Sequence, residues 1–119
     1  MTRGAYEEAV DACNACADAC DRCTSACLLE PDVAQMTRCI ALDLECAALC
    51  RLLAGFAARG SKFASRVAAV CADVCEACAA ECGQHAHDHC QACAEACRAA
   101  TAACRRLAGL NVEPTKPTA

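Results

Sequence analysis

Sixteen cysteines carry the chemistry this sequence could perform. They fall into four runs. The first is Cys13, Cys16, Cys20, Cys23 and Cys27, and the second is Cys39, Cys46 and Cys50. The third is Cys71, Cys75, Cys78 and Cys82, and the fourth is Cys90, Cys93, Cys97 and Cys104. Steps of three and four residues return side chains to one face of an α-helix, the spacing of a bundle seam. A deprotonated cysteine is a soft ligand that favours Cu(I), zinc or iron–sulfur clusters over hard cations.

The helical setting chooses among those metals. Iron–sulfur sites and zinc knuckles draw their thiols from loops and turns, whereas these cysteines lie on uninterrupted helical segments. Thiols at i and i+3 or i+4 sit one above the other and could grip an ion of low coordination number, which suits Cu(I) better than four-coordinate zinc. Repeated up a bundle, such pairs make a column of many Cu(I) ions. Each Cu⁺ replaces one thiol proton, so a loaded core stays near neutrality. One or two buried cysteines would read as small hydrophobes, but sixteen in register do not. Disulfides between near neighbours on one helix would close very short loops and constrain little.

Two slots break the pattern. Asp43 completes the 4, 3, 4 spacing from Cys39 to Cys50 and projects inward, to ligate metal or to orient a thiol. Ala100 stands where the fourth run skips a cysteine. His85, His87 and His89 cluster in one turn, and threading the helices alternately up and down brings them to the same end as Met36, Cys27, Cys39, Cys82 and Cys90. Imidazole and thioether hold Cu(I) more weakly than thiolate, which suits a mouth that admits and releases ions. Taken singly, the histidines also read as a solvated turn and Met36 as gap-filling.

Four helices must position these groups. Their composition is rich in Ala, Leu, Glu and Arg, and the breaks between them are marked by Pro31, Gly60 and Gly83. The expected spans are Tyr6 to Leu29, a second helix N-capped by Asp32 with Gln35 and ending at Ala58, a third from Ser61 to Glu81, and a fourth from Asp88 with Gln91 to Ala108. Short connections force antiparallel neighbours, giving an all-α, up-down-up-down four-helix bundle with a cysteine-lined core over residues 1–110. Residues 111–119, with two prolines, read as a disordered tail. The end away from the histidines gathers Tyr6, Val10, Leu53, Phe56, Phe63, Val67, Val70 and Leu107, an expected hydrophobic plug.

Composition narrows the function. Sixteen cysteines in 119 residues, about 13 %, exceed the roughly 8–10 % that marks a special architecture. The net charge of −4 disfavours nucleic acid. No apolar run reaches a membrane span, and the N-terminal segment lacks the features of a signal peptide, so the expected location is the reducing cytoplasm. Sixteen equivalent inward thiols offer no singular exposed thiolate for an oxidoreductase, so no enzyme is expected. On the second helix Ile40, Ala41, Leu44, Ala48 and Leu52 form an apolar outer stripe, which points to a homo-oligomer packed there.

The register from Cys13 to Cys27, echoed from Cys71 to Cys82 and from Cys90 to Cys97, resembles that of the bacterial copper storage proteins over nearly the whole chain. The resemblance implies a four-helix bundle binding many Cu(I) ions through the sixteen core cysteines, a tetrameric assembly, a cytosolic branch lacking a signal peptide, and a histidine-bearing mouth matching His85, His87 and His89. A zinc or mixed-metal thiolate buffer and a low-stoichiometry copper chaperone are the competing functions. Competitive Cu(I) titration and stoichiometry separate them.

Overall fold

Good helix formers interrupted by a few breakers fold into four long helices. A computed structural model describes residues 2–110, with side chains from residue 4 onward. Helix α1 spans Thr2–Leu28, α2 Thr37–Ala58, α3 Ala64–Cys82 and α4 Asp88–Gly109, with a single 3₁₀ turn at Val33–Met36. Helix α1 packs on α2 and α4, and α3 packs on the same two, so α1 faces α3 and α2 faces α4 diagonally across the interior. The connections are short, and the result is the expected antiparallel bundle. The expected tail, 111–119, lies outside the described residues.

The helix starts differ from the expected caps, whereas Gly83 closes α3 as expected, its amide donating to the Ala79 carbonyl at 2.9 Å. Asp32 does not cap α2, because its carboxylate meets His87 instead, at 3.2 Å, and the 3₁₀ turn leads the chain into the helix. Asp88 opens α4 from within its first turn, where a negative charge suits the helix dipole. Gln91 reaches back across the preceding turn, its amide donating to the carbonyls of His85 at 2.7 Å and Gly83 at 3.0 Å. Ser61 does not cap α3 either: the helix begins at Ala64, with Phe63 before it, and the Ser61 hydroxyl accepts from the Phe63 amide at 3.0 Å within the preceding turn. Gly60 adopts a positive φ of 67°, a conformation that glycine enters without steric cost.

Thiols and alanines fill the interior. Met36, Leu53 and Leu107 are the largest fully buried apolar side chains, and Asp43 follows them in size. Leu53 and Leu107 pack among Ala9, Ala54, Ala57, Ala64 and Ala68, with Tyr6, Val10, Phe56 and Val67 partly buried against them. Phe63 and Val70 do not join this plug, being 49 % and 53 % exposed. Phe63 precedes the first turn of α3, under the Lys62 ammonium. Val70 sits one residue before Cys71, about 100° round the helix from that inward sulfur.

Outside, α2 is unlike its neighbours. Ala41, Leu44, Ala48 and Leu52 are exposed and Ile40 is partly buried, so the apolar stripe expected there is present on the surface. No helix among the described residues is long and apolar enough to cross a membrane.

Candidate metal centre

The four helices turn their cysteine faces onto one axis. All sixteen cysteines are free thiols with no exposed surface. Within a helix, sulfurs four residues apart approach closely: Cys23 and Cys27 at 3.7 Å, Cys71 and Cys75 at 3.8 Å, Cys78 and Cys82 at 3.9 Å, Cys93 and Cys97 at 3.9 Å. Between helices they come as near or nearer. Cys39 and Cys82 are 3.1 Å apart, Cys50 and Cys75 3.5 Å, and Cys16 lies 3.6 Å from Cys97 and 3.7 Å from Cys46. Cys13 and Cys104, at 3.6 Å, close the column toward the plug.

This arrangement revises one step of the sequence argument. Four thiols do converge here without any turn, because each helix contributes sulfurs to a common level. Sets whose ligand atoms all lie within 4.8 Å of one another include Cys16, Cys46, Cys50 and Cys75; Cys16, Cys20, Cys46 and Cys97; Cys20, Cys78, Cys93 and Cys97; and Cys23, Cys27, Cys39 and Cys90. Successive sets share members: Cys16, Cys20, Cys46 and Cys97 each belong to two of them. Shared sulfurs favour bridged, polynuclear binding over a stack of separate four-thiol sites.

Asp43 occupies the interior slot read from the spacing, and it is fully buried. Its Oδ1 accepts from the thiols of Cys78 at 3.2 Å, Cys93 at 3.2 Å and Cys82 at 3.4 Å. Burial, with the nearby Cys93 sulfur, pushes its carboxyl up to about 8. The group therefore keeps its proton far above the usual carboxylate range, and four thiols, Cys39 on Oδ2 at 3.9 Å among them, surround it in place of water. Ala100 is buried as well, in the slot on α4 between Cys97 and Cys104 where the cysteine run skips.

At the other end of the column the turn before α4 meets the turn after α1. His89 is the one histidine within hydrogen-bonding distance of thiols. Its Nδ1 lies 3.6 Å from the sulfurs of Cys23 and Cys90 and 3.8 Å from that of Cys27. His87 stacks on His89, with ring centres 5.2 Å apart, and its Nε2 lies 3.2 Å from Asp32. His85 turns to Glu81, its Nε2 2.9 Å from Oε2. Met36 is completely buried rather than lining an open entrance, because the 3₁₀ turn folds it under the end of the bundle. Burial also raises the thiols of Cys27, to about 11, and Cys90.

Read from the sequence, the carboxylates of this end have no role at the site, and Asp32 is only a helix cap. Glu30, Asp32 and Glu81 each hold a histidine, and Glu30 Oε2 comes to 2.8 Å from His89 Nε2. For Glu30 and Asp32 the signal was a pair of acids flanking Pro31 on a turn that the threading places against the histidine turn.

Fold and core together define a class: a four-helix bundle whose interior is a sealed reservoir of free thiols. The sequence profile of the copper storage protein family matches residues 2–109, and the chain belongs to that family. The Cu(I)-bound copper storage protein BsCsp3 is 44 % identical, with a TM-score of 0.83 over 87 % of this chain and 98 % of its own. A cytosolic copper storage protein from Streptomyces lividans, solved during loading with five coppers, is 40 % identical, with a TM-score of 0.87 over 91 % of this chain and 95 % of its own. Apo copper storage protein 3 from Bacillus subtilis is 44 % identical, with a TM-score of 0.79 over 86 % and 97 %. No curated protein matches the chain.

Proposed function

We propose that this chain stores Cu(I) in the cytoplasm, holding many ions on the sixteen core thiols from Cys13 to Cys104. The observation that carries the reading is the continuity of the column, in which buried free thiols from all four helices share neighbours along the bundle axis. Each ion entering as Cu⁺ displaces one thiol proton, and the low-dielectric core gains no net charge. Divalent zinc at the same ratio would leave buried positive charge. The printed descriptions of the Cu(I)-bound and cytosolic relatives support the same assignment.

Other residues take graded roles. Asp43 orients the thiols of Cys78, Cys82 and Cys93 and offers a carboxylate oxygen to the thiol column. His89 serves the mouth directly. His85 and His87 stand behind it on carboxylates, and Met36 lies beneath the turn as a thioether ligand or as packing. Storage, and not catalysis, is the role. The exposed stripe of α2 supports a homo-oligomer, read as a tetramer, assembled through Leu44 and Leu52.

Anaerobic Cu(I) titration with elemental analysis, competed against a Cu(I) chelator and against zinc, tests the function. Storage predicts tight binding that continues toward one ion per cysteine. A zinc buffer predicts preference for zinc, and a chaperone saturates at one or two ions.

A further inference from the structure

Among the described residues, His89 is the histidine that touches both the sealed thiol column and the outer turn, and its two ring nitrogens face different chemistries. Nδ1 faces three thiol sulfurs at 3.6 to 3.8 Å. Nε2 faces Glu30 Oε2 at 2.8 Å. A neutral imidazole carries one proton, and its position follows the stronger acceptor. A carboxylate oxygen at 2.8 Å is a far better acceptor than a thiol sulfur at 3.6 Å or more.

Glu30 is itself fixed. Its amide donates to the Cys27 carbonyl at 3.2 Å, its carbonyl accepts from the Val33 amide at 3.1 Å, and Pro31 follows it. The neighbouring His87 does not take its place. That ring has Asp32 at 3.2 Å on Nε2, and its Nδ1 lies 3.5 Å from Glu30 Oε2.

We infer that Glu30 is a positioning residue for copper entry: it holds His89 in the Nε2–H tautomer, so that the Nδ1 lone pair points inward at Cys23, Cys27 and Cys90 as the first ligand an arriving Cu(I) ion meets. Carboxylates that bind the second nitrogen of a ligating histidine fix its tautomer and ring orientation, and losing one commonly costs about 10-fold or more in metal affinity or activity. In the opposite tautomer Nδ1 would carry the proton and present no lone pair to the column. The inference rests on the Cu(I) reading above, and its first test uses no copper.

That test is ¹⁵N NMR of the histidine rings in the reduced apo protein at pH 8, where an ordinary imidazole is neutral. The wild type is expected to show His89 with Nε2 protonated and Nδ1 bare. Glu30→Gln, which keeps an acceptor oxygen, retains that signature, and Glu30→Leu loses it. An Nδ1–H tautomer in the wild type, or an unchanged His89 in Glu30→Leu, overturns the inference. The second arm is stopped-flow Cu(I) uptake. Glu30→Leu slows the first phase by roughly 10-fold, Glu30→Gln restores most of the rate, and Glu30→Leu adds nothing in a His89→Ala background. Equal slowing by Glu30→Leu with and without His89 overturns the assignment, because Glu30 would then act on its own. Total copper bound by the wild type is read in the same samples, so failure of the storage reading appears there and failure of the tautomer appears in the spectra.

Discussion

The two ends of this bundle share helices and differ in almost everything else. At the end where α1 and α4 begin and finish, respectively, the interior is mostly leucine and alanine: Leu53 and Leu107 are fully buried, Ser65 is a buried polar side chain among them, and ion pairs such as Glu8 with Arg106 lie on the surface. At the opposite end four turns and helix tips bring His85, His87 and His89 against Glu81, Asp32 and Glu30, with thiols directly beneath. A thiol column adds little rigid apolar volume of its own, so the plug supplies packing, and on the function proposed above the histidine end supplies access. On that proposal stability and ion traffic fall to opposite ends of one small core, and substitutions at each end should move different observables.

The largest effect on stability is expected at the plug. Leu53→Ala leaves a cavity among small alanines that cannot close it, lowering the stability of the apo protein by about 2–5 kcal/mol. Anaerobic urea unfolding reads this directly. His89→Ala at the mouth should shift the same curve by less than about 1 kcal/mol, in line with a part-exposed polar group. Comparable losses at the two ends would erase the distinction.

A pH-dependent effect of comparable size is expected from Asp43, which lies between the two ends. In the fold its carboxyl holds its proton up to about 8, against an ordinary value of 3.8. Between those values the folded chain binds a proton that the unfolded chain does not, so this group makes the apo protein less stable as pH rises from about 4 to about 8. Below that window the penalty is absent, and above it the penalty is complete. Asp43→Asn, with the same shape and no charge, should flatten the pH dependence and equal or exceed the wild type at pH 8, as followed by denaturation midpoints. A wild-type midpoint that rises across the window would contradict the burial argument.

The smallest effect on the isolated bundle is expected from its outer stripe. Leu44→Lys with Leu52→Lys touches exposed positions and should leave the protomer's helix content unchanged. Sedimentation should nevertheless show the assembly falling to monomers, leaving both ends of each bundle intact. A wild type that sediments as a clean monomer at micromolar concentration would remove the interface.

How much of this was legible in the sequence depends on whether the signal was local. The inward column was readable because three- and four-residue steps fix a helix face, and Asp43 was found for the same reason: it stands in a cysteine slot. The level at which Cys39 meets Cys82 or Cys16 meets Cys97 was not readable, since register between helices is set by packing and leaves no local period. Asp32 followed by Gln35 has the spacing of a helix cap, and only the approach of His87 from a distant turn takes its carboxylate away. Glu30 before a proline looks like any helix end until His89 arrives above it. Phe63 and Val70 were placed in the plug by composition and by the right end of the bundle, but not by their angle on α3.

The central claim is that the sixteen thiols work as one store, and the most direct measurement is the number of Cu(I) ions bound per chain in anaerobic titration with elemental analysis. The account predicts tight binding beyond one ion per two cysteines, approaching one per cysteine. Saturation far below one ion per two cysteines would contradict it.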